Sequence, residues 1–343
     1  MKRSLLSIMI VSLIGAPASA QAPGWQGLLG DLPAKEKAGF GGLCGMVVDP
    51  DNGTLWINIS DRGFYRTDDQ GKTFRRCSGE QPKGRTESPG CLMLDPTGKS
   101  KRMMTALVYG SPIALSDNGG QSWKYLHDKS SHVDWFAADW TAADPKFVLA
   151  LKHEAGELLL ASRDGGASFQ EVGKGYGTGW VFDAKIAVVA EVKTKKKPKP
   201  SLMRTIDGGV SWEPCGAYCP VGWQSAQALP RWREGTLYWL TESGLIASSD
   251  RGVTWKILGK PKEPRYGPVF GKDANQMFVL SGAGIVESND GGATWSAPIP
   301  PPKGLKGTAG LTWLAYDAKN DLLYLMKMGS DLYRLDRKRM RQP

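Results

Sequence analysis

His127, His132 and His153 are the only histidines in this 343-residue chain. His153 is followed by Glu154, the one neighbouring pair whose types suit general acid–base exchange near neutral pH. No histidine stands at zinc-ligand spacing from a pair of cysteines, so no metal site is expected. Glycoside cleavage needs two carboxyls across the scissile bond. The carboxylates that could supply them from turns are Asp61, Glu154 and Glu242, and these are the candidate catalytic set if the chain does chemistry. Arg62, Tyr109, Trp135 and Trp223 add the cationic and aromatic groups that grip a glycan or an extended peptide. A nucleophile elbow, a phosphate loop and a metal-binding helix motif are all absent from the sequence. The run Gly173 to Gly179 misses the dinucleotide spacing and has no helix pattern after it, so no cofactor is expected.

Such scattered residues can act together only if the fold carries them to one side. A short pattern that recurs through the chain sets the fold: Ser/Thr, any residue, Asp, any residue, Gly, any residue, Ser/Thr, aromatic. It reads TDDQGKTF, SDNGGQSW, SRDGGASF, TIDGGVSW, SSDRGVTW and SNDGGATW. Its third position falls at Asp69, Asn118, Asp164, Asp207, Asp250 and Asp290, at intervals of 49, 46, 43, 43 and 40 residues. Near-constant periods of this size mark repeat architectures. Each residue type has a part in a hairpin turn. The Asp or Asn oxygen accepts from backbone N–H groups inside the turn, Gly takes a positive φ, the hydroxyls tie the ends, and the aromatic ring buries between sheets. These carboxylates are therefore framework, not catalytic acids or calcium ligands.

Strand-like runs precede each copy. In the first repeat they start at Cys44, Thr54 and Phe64, separated by turns at Asp51-Asn52-Gly53 and Ser60-Asp61-Arg62-Gly63. Four short antiparallel strands in about 45 residues make one propeller blade. A seventh copy begins near Leu311 and reaches Asp336, 46 residues after Asp290, but has no complete turn and no fourth strand. The segment at Trp25 resembles the strand that follows each turn and is expected to close the last blade, removing open sheet edges. The expected fold class is all-β: a seven-bladed β-propeller of four-stranded blades over residues 21–343. Turns between third and fourth strands then lie on one side of the ring. Loops between second and third strands lie on the other, carrying Asp61, Arg62, Tyr109, His153, Glu154 and Glu242. Blade-joining loops would add Trp135 and Trp223 there.

The six turns resemble the Asp-box, or BNR, repeats of the sialidase-like propeller superfamily. That resemblance is specific for fold and unspecific for function. Sialidases would need an arginine triad and an early Arg-Ile-Pro motif, which the sequence lacks. Xyloglucan-degrading enzymes are similar at Asp61-Arg-Gly-Phe-Tyr65-Arg66, but they set their two catalytic Asp residues on two facing propellers. The photosystem II assembly-factor type is similar in length and blade count, and that likeness implies a single ring that binds polypeptide and does no chemistry. An exported binding or assembly propeller for a polypeptide or glycan is the expected function, with a glycoside hydrolase as the alternative.

Residues 1–20 read as a cleavable export signal: a basic start at Lys2-Arg3, an apolar stretch from Leu5 to Ala16, and small residues Ala18-Ser19-Ala20. A periplasmic or secreted, monomeric protein with no membrane span is expected, and nucleic acid is an unsuitable partner for it. Without Lys2 and Arg3 the chain carries 42 basic and 34 acidic side chains, a net +8. Much of the excess sits in Lys193–Lys199 and Arg334–Arg341. Such runs attract acidic partners but more commonly form a solvated loop or frayed tail, which is the reading adopted for both. Export permits disulfides. Cys215 with Cys219, and Cys91 with either Cys77 or Cys44, are the candidate pairs, and five cysteines leave at least one unpaired.

Overall fold

In the computed structural model each repeat forms one antiparallel sheet, and seven sheets stand around an axis. The structure describes residues 24–79, 81–222, 229–310 and 312–340. The expected export signal, 1–20, lies outside the described residues.

Blade one shows why these sequences become strands. Leu43–Val48, Leu55–Ile59, Phe64–Thr67 and Arg75–Arg76 pair in chain order. The second strand, Leu-Trp-Ile-Asn-Ile, is buried at every position, because a blade is covered on both faces by its neighbours. The fourth strand, Arg75–Arg76, is exposed and forms the outer edge. First strands of most adjacent blades meet around the axis, and those of blades one and seven touch, so the ring is closed.

Closure uses both chain ends, as expected. Trp25–Gly27 is the outer strand of blade seven, with Trp25 opposite Leu335, Gln26 opposite Arg334 and Gly27 opposite Tyr333. Beyond the ladder, Leu28 N donates to Leu332 O at 2.9 Å and Leu29 N to Asp331 Oδ1 at 2.9 Å. A Cβ on Gly27 would meet Asp331 Oδ2 at 2.4 Å, so this position admits only glycine without movement. Blade six has three strands. Its outer segment, Ser296–Pro302, contains four prolines, which have no N–H to give a ladder, and it is held by the Ile285–Ile299 bridge and by Ser296 N–H donating to Glu287 O at 2.8 Å.

The six turns repeat one hydrogen-bond pattern. The first hydroxyl donates to the Asp or Asn Oδ1 at 2.7–3.0 Å. The glycine N–H donates back to that hydroxyl at 2.7–2.9 Å. The second Ser or Thr N–H reaches the same Oδ1 at 2.9–3.0 Å. The glycine φ lies between 79° and 94° throughout, a region that disfavours residues with a Cβ.

Two expectations need correction. All five cysteines are free thiols, so neither Cys215–Cys219 nor Cys77–Cys91 is bonded. Cys77 Sγ contacts Phe64 O, whereas Cys91 Sγ donates to Asp134 O, so the ring places them in different settings. Nor is the C-terminal basic run simply a solvated tail. Arg337 is 4% exposed and pairs with Glu287 at 2.6 Å and Asp321 at 3.1 Å, a bridge between blades six and seven.

Candidate functional site

Antiparallel pairing in chain order puts the loops between second and third strands on the side opposite the six turns. On that side five segments converge: Phe40 ahead of blade one, Arg85 ahead of blade two, Tyr109 in its second loop, and the His132 to Asp134 and His153 to Glu154 segments of blade three.

A β-bulge aims the centre of this cluster. The register between strands Val133–Ala138 and Val148–Lys152 shifts between Val133 and Trp135, leaving Asp134 outside the regular ladder. Asp134 Oδ1 meets His153 Nδ1 at 2.7 Å. Its carbonyl accepts from the Ser88 hydroxyl and, at 3.1 Å, from the Cys91 thiol, so the backbone is pinned. With Nδ1–H given to Asp134, His153 Nε2 is left with a lone pair. That nitrogen lies 3.1 Å from the Tyr109 hydroxyl and 3.5 Å from Glu154 Oε1.

His132 packs beside this group. Its Nδ1 accepts from Tyr109 N–H at 3.2 Å, its carbonyl accepts from His153 N–H at 3.0 Å, and its ring centre lies 5.0 Å from that of His153. Tyr109, His132 and Glu154 all hold left-handed φ, 52°, 59° and 53°, which costs non-glycine residues energy and is concentrated at functional sites. Burial, then His153 and Lys152, lowers the His132 pKa and favours the neutral ring. Burial raises the Asp134 carboxyl despite the opposing pull of His153. The Glu154 contact, with minor burial, raises the Tyr109 phenol, so it is no ready phenolate. His132, His153 and Glu154 each bring one metal-ligating atom within 4.8 Å of the others. Their sequence spacing gives no motif; only the ring closes the gap.

Arg85 extends the cluster outward. Its guanidinium lies 4.9 Å from the Phe40 ring centre and 4.8 Å from that of Tyr109, and it pairs with Glu87. Phe40 is 73% and Tyr109 49% exposed.

The three candidate catalytic carboxylates are not brought together. They hang from blades one, three and five, and no hydrogen bond or ion pair joins them among the described residues. Asp61 accepts from Gly39 N at 2.8 Å and lies 3.6 Å from Arg62, while Arg62 donates to Lys37 O at 2.8 and 3.0 Å. Both residues therefore clamp the segment that presents Phe40. Glu242 pairs with Lys193 at 2.8 Å, from the basic run of blade four. Tyr109, His153 and Glu154 do meet. Trp135 does not line the rim: it stands in the first strand of blade three, fully buried and packed against Gly90. Trp223 lies outside the described residues. Sequence reasoning missed Phe40, Arg85 and Asp134 as site residues, and it named His132 without placing it at the site. None of these four belongs to the repeating pattern.

No family model and no curated protein matches the chain. Solved structures do. A GH74 xyloglucanase from Xanthomonas campestris aligns at 16% identity and TM-score 0.41, covering 85% of this chain and 56% of the enzyme. The chain thus spans little more than half of that protein. YCF48 bound to a D1 peptide aligns at 15% identity and TM-score 0.48, covering 85% of this chain and 92% of the other. An extracellular domain assigned to a hybrid two component system of B. thetaiotaomicron aligns at 11% identity and TM-score 0.53, covering 85% and 38%. At such identities the likeness is one of fold, and that fold is the β-propeller.

Proposed function

We propose that the chain is an exported binding propeller that takes an extended polypeptide across the face bearing Phe40, Arg85 and Tyr109. The observation that carries this reading is the Phe40–Arg85–Tyr109 stack: a guanidinium between two rings, both open to solvent. Exposed aromatic rings backed by arginine are the residue types that anchor protein interfaces. A hydrolase would instead need two carboxyls facing across a cleft. Asp61, Glu154 and Glu242 stand on separate blades, and Asp61 and Glu242 are tied up by Arg62 and Lys193.

The test presents the full chain to an array of extended peptides and to cell-wall oligosaccharides. Peptide retention is expected, weakened about tenfold or more by Phe40→Ala and by Tyr109→Ala, with circular dichroism unchanged. Release of new reducing ends that disappears in Asp61→Ala would replace this reading with the hydrolase. Export is checked separately, since N-terminal sequencing of protein from the host envelope should begin at Gln21.

A further inference from the structure

We propose that His132, His153 and Glu154 form a binding site for a borderline divalent transition metal of the zinc class. The inference stands on the cluster's own geometry and does not depend on what the face binds.

Two imidazoles and a carboxylate suit zinc and its neighbours better than calcium or magnesium, which take all-oxygen sets. Ligand atoms about 2.0–2.2 Å from a tetrahedral zinc stand roughly 3.5 Å apart. His153 Nε2 and Glu154 Oε1 are already at 3.5 Å. The third ligand atom is within 4.8 Å of both, so a small closure completes the set.

The second observation lies behind the ligands. Asp134 Oδ1 holds His153 Nδ1 at 2.7 Å, which fixes the ring and leaves Nε2 facing the site. A carboxylate behind a histidine is the usual support of a metal-bound imidazole. Asp134 leaves the ladder at a first-strand bulge of the kind blades one, four and six also have, and the Ser88 and Cys91 contacts hold its backbone in place. His132 Nδ1 now accepts the Tyr109 amide at 3.2 Å. Coordination through either nitrogen of that ring gives up this bond, and the amide turns to water at the exposed rim. The Tyr109 hydroxyl, 3.1 Å from Nε2, stands beside the remaining position.

The test uses the untagged full chain, stripped with chelator and titrated with Zn²⁺ by calorimetry and with Co²⁺ by visible absorption. One ion per chain is expected. His132→Ala, His153→Ala and Glu154→Gln should each weaken binding tenfold or more. Asp134→Asn should weaken it about 10- to 100-fold through the orientation of His153. His127→Ala should change nothing, because that ring only caps a short turn through Lys129 N. Asp134 is mostly buried and its variant can misfold, so exposed Glu154 carries the decision. No saturable binding of either ion, or binding that survives in the His132→Ala/His153→Ala double variant, overturns the site.

Discussion

The two faces of this ring are built on opposite principles. On the turn face one eight-residue device is used six times, with the same donors, the same acceptor and glycines at nearly the same φ. On the opposite face only the hairpins of blades five and six match, where Thr241 and Ser281 hydroxyls donate to Gly244 O and Gly284 O at 2.8 Å; the loops of blades one to three differ. There Tyr109, His132 and Glu154 hold left-handed backbone without being glycine, and their side chains converge from two blades. Repetition buries hydroxyls and satisfies N–H groups, which is work for stability. Irregularity places unlike groups against one another, which is work for recognition. The difference teaches that the turn face is where stability is built and that the rim is where the proposed binding belongs, and each half of that statement can be broken.

The largest effect should come from the framework on which both faces hang. Deleting residues 21–29 removes the outer strand of blade seven, the Leu28 and Leu29 amide bonds and the buried Leu29 side chain. A few net hydrogen bonds at about 1 kcal/mol each and one buried leucine at about 2 kcal/mol give a loss of about 4 kcal/mol. Urea unfolding of the chain from Gln21 onward and of the shortened chain measures it. Equal midpoints would mean that the ring closes without its N-terminal strand.

A paired substitution sets one face against the other. The Ser248 hydroxyl is buried, donates to Asp250 Oδ1 at 2.8 Å and accepts Gly252 N–H at 2.8 Å. Ser248→Ala strands that buried N–H and should cost about 2 kcal/mol. Tyr109→Ala removes a half-exposed ring from the rim and should cost under about 0.5 kcal/mol while abolishing most ligand capture. A Tyr109→Ala protein as destabilised as Ser248→Ala would erase the division between the faces.

The same division explains what could be read from sequence. The turn face was legible because its parts admit few residue types: Gly for positive φ, Asp to accept three bonds or Asn to accept two and donate one, Ser or Thr for a hydroxyl at each end. The closing strand at Trp25 was legible because it resembles the strands after the turns. The rim was half legible. His153 and Glu154 are adjacent, so they declare themselves; His132 and Asp134 reach them only through the blade and its bulge. Trp135 was read as part of a blade-joining loop, whereas the first strand of blade three already starts at Val133 and buries it. Asp61 was read as chemistry because it is a carboxylate in a rim turn. Its oxygen is spent on Gly39 N, a contact between residues 22 positions apart that no local pattern signals.

The smallest effect sharpens the picture of the turn face itself, because one of its six turns uses an amide. In the other five, hydrogen bonds hold the carboxyl below its ordinary value of 3.8. The Thr73 hydroxyl brings Asp69 to about 2 and that of Ser168 does the same for Asp164. Asp290 reaches about 2 through Thr294, and Asp250 reaches it although burial opposes Thr254. Asp207 moves the same way through Ser211. A carboxyl that binds its proton more weakly folded than unfolded stabilises the fold fully above the unfolded value. That stabilisation drains away as pH falls through the folded value. Melting temperature should therefore hold from neutrality to about pH 4 and fall between about pH 4 and pH 2, in line with these shifts. Asn118 shows how to remove one contribution: its Oδ1 accepts Ser122 N–H at 3.0 Å and its amide donates to Ser122 Oγ at 2.8 Å, so the turn is complete without a charge. Asp164→Asn should melt near the native temperature at pH 7 and lose less stability than the native chain between pH 4 and pH 2. An unchanged acid slope would mean that these turn carboxylates are not what the ring loses in acid.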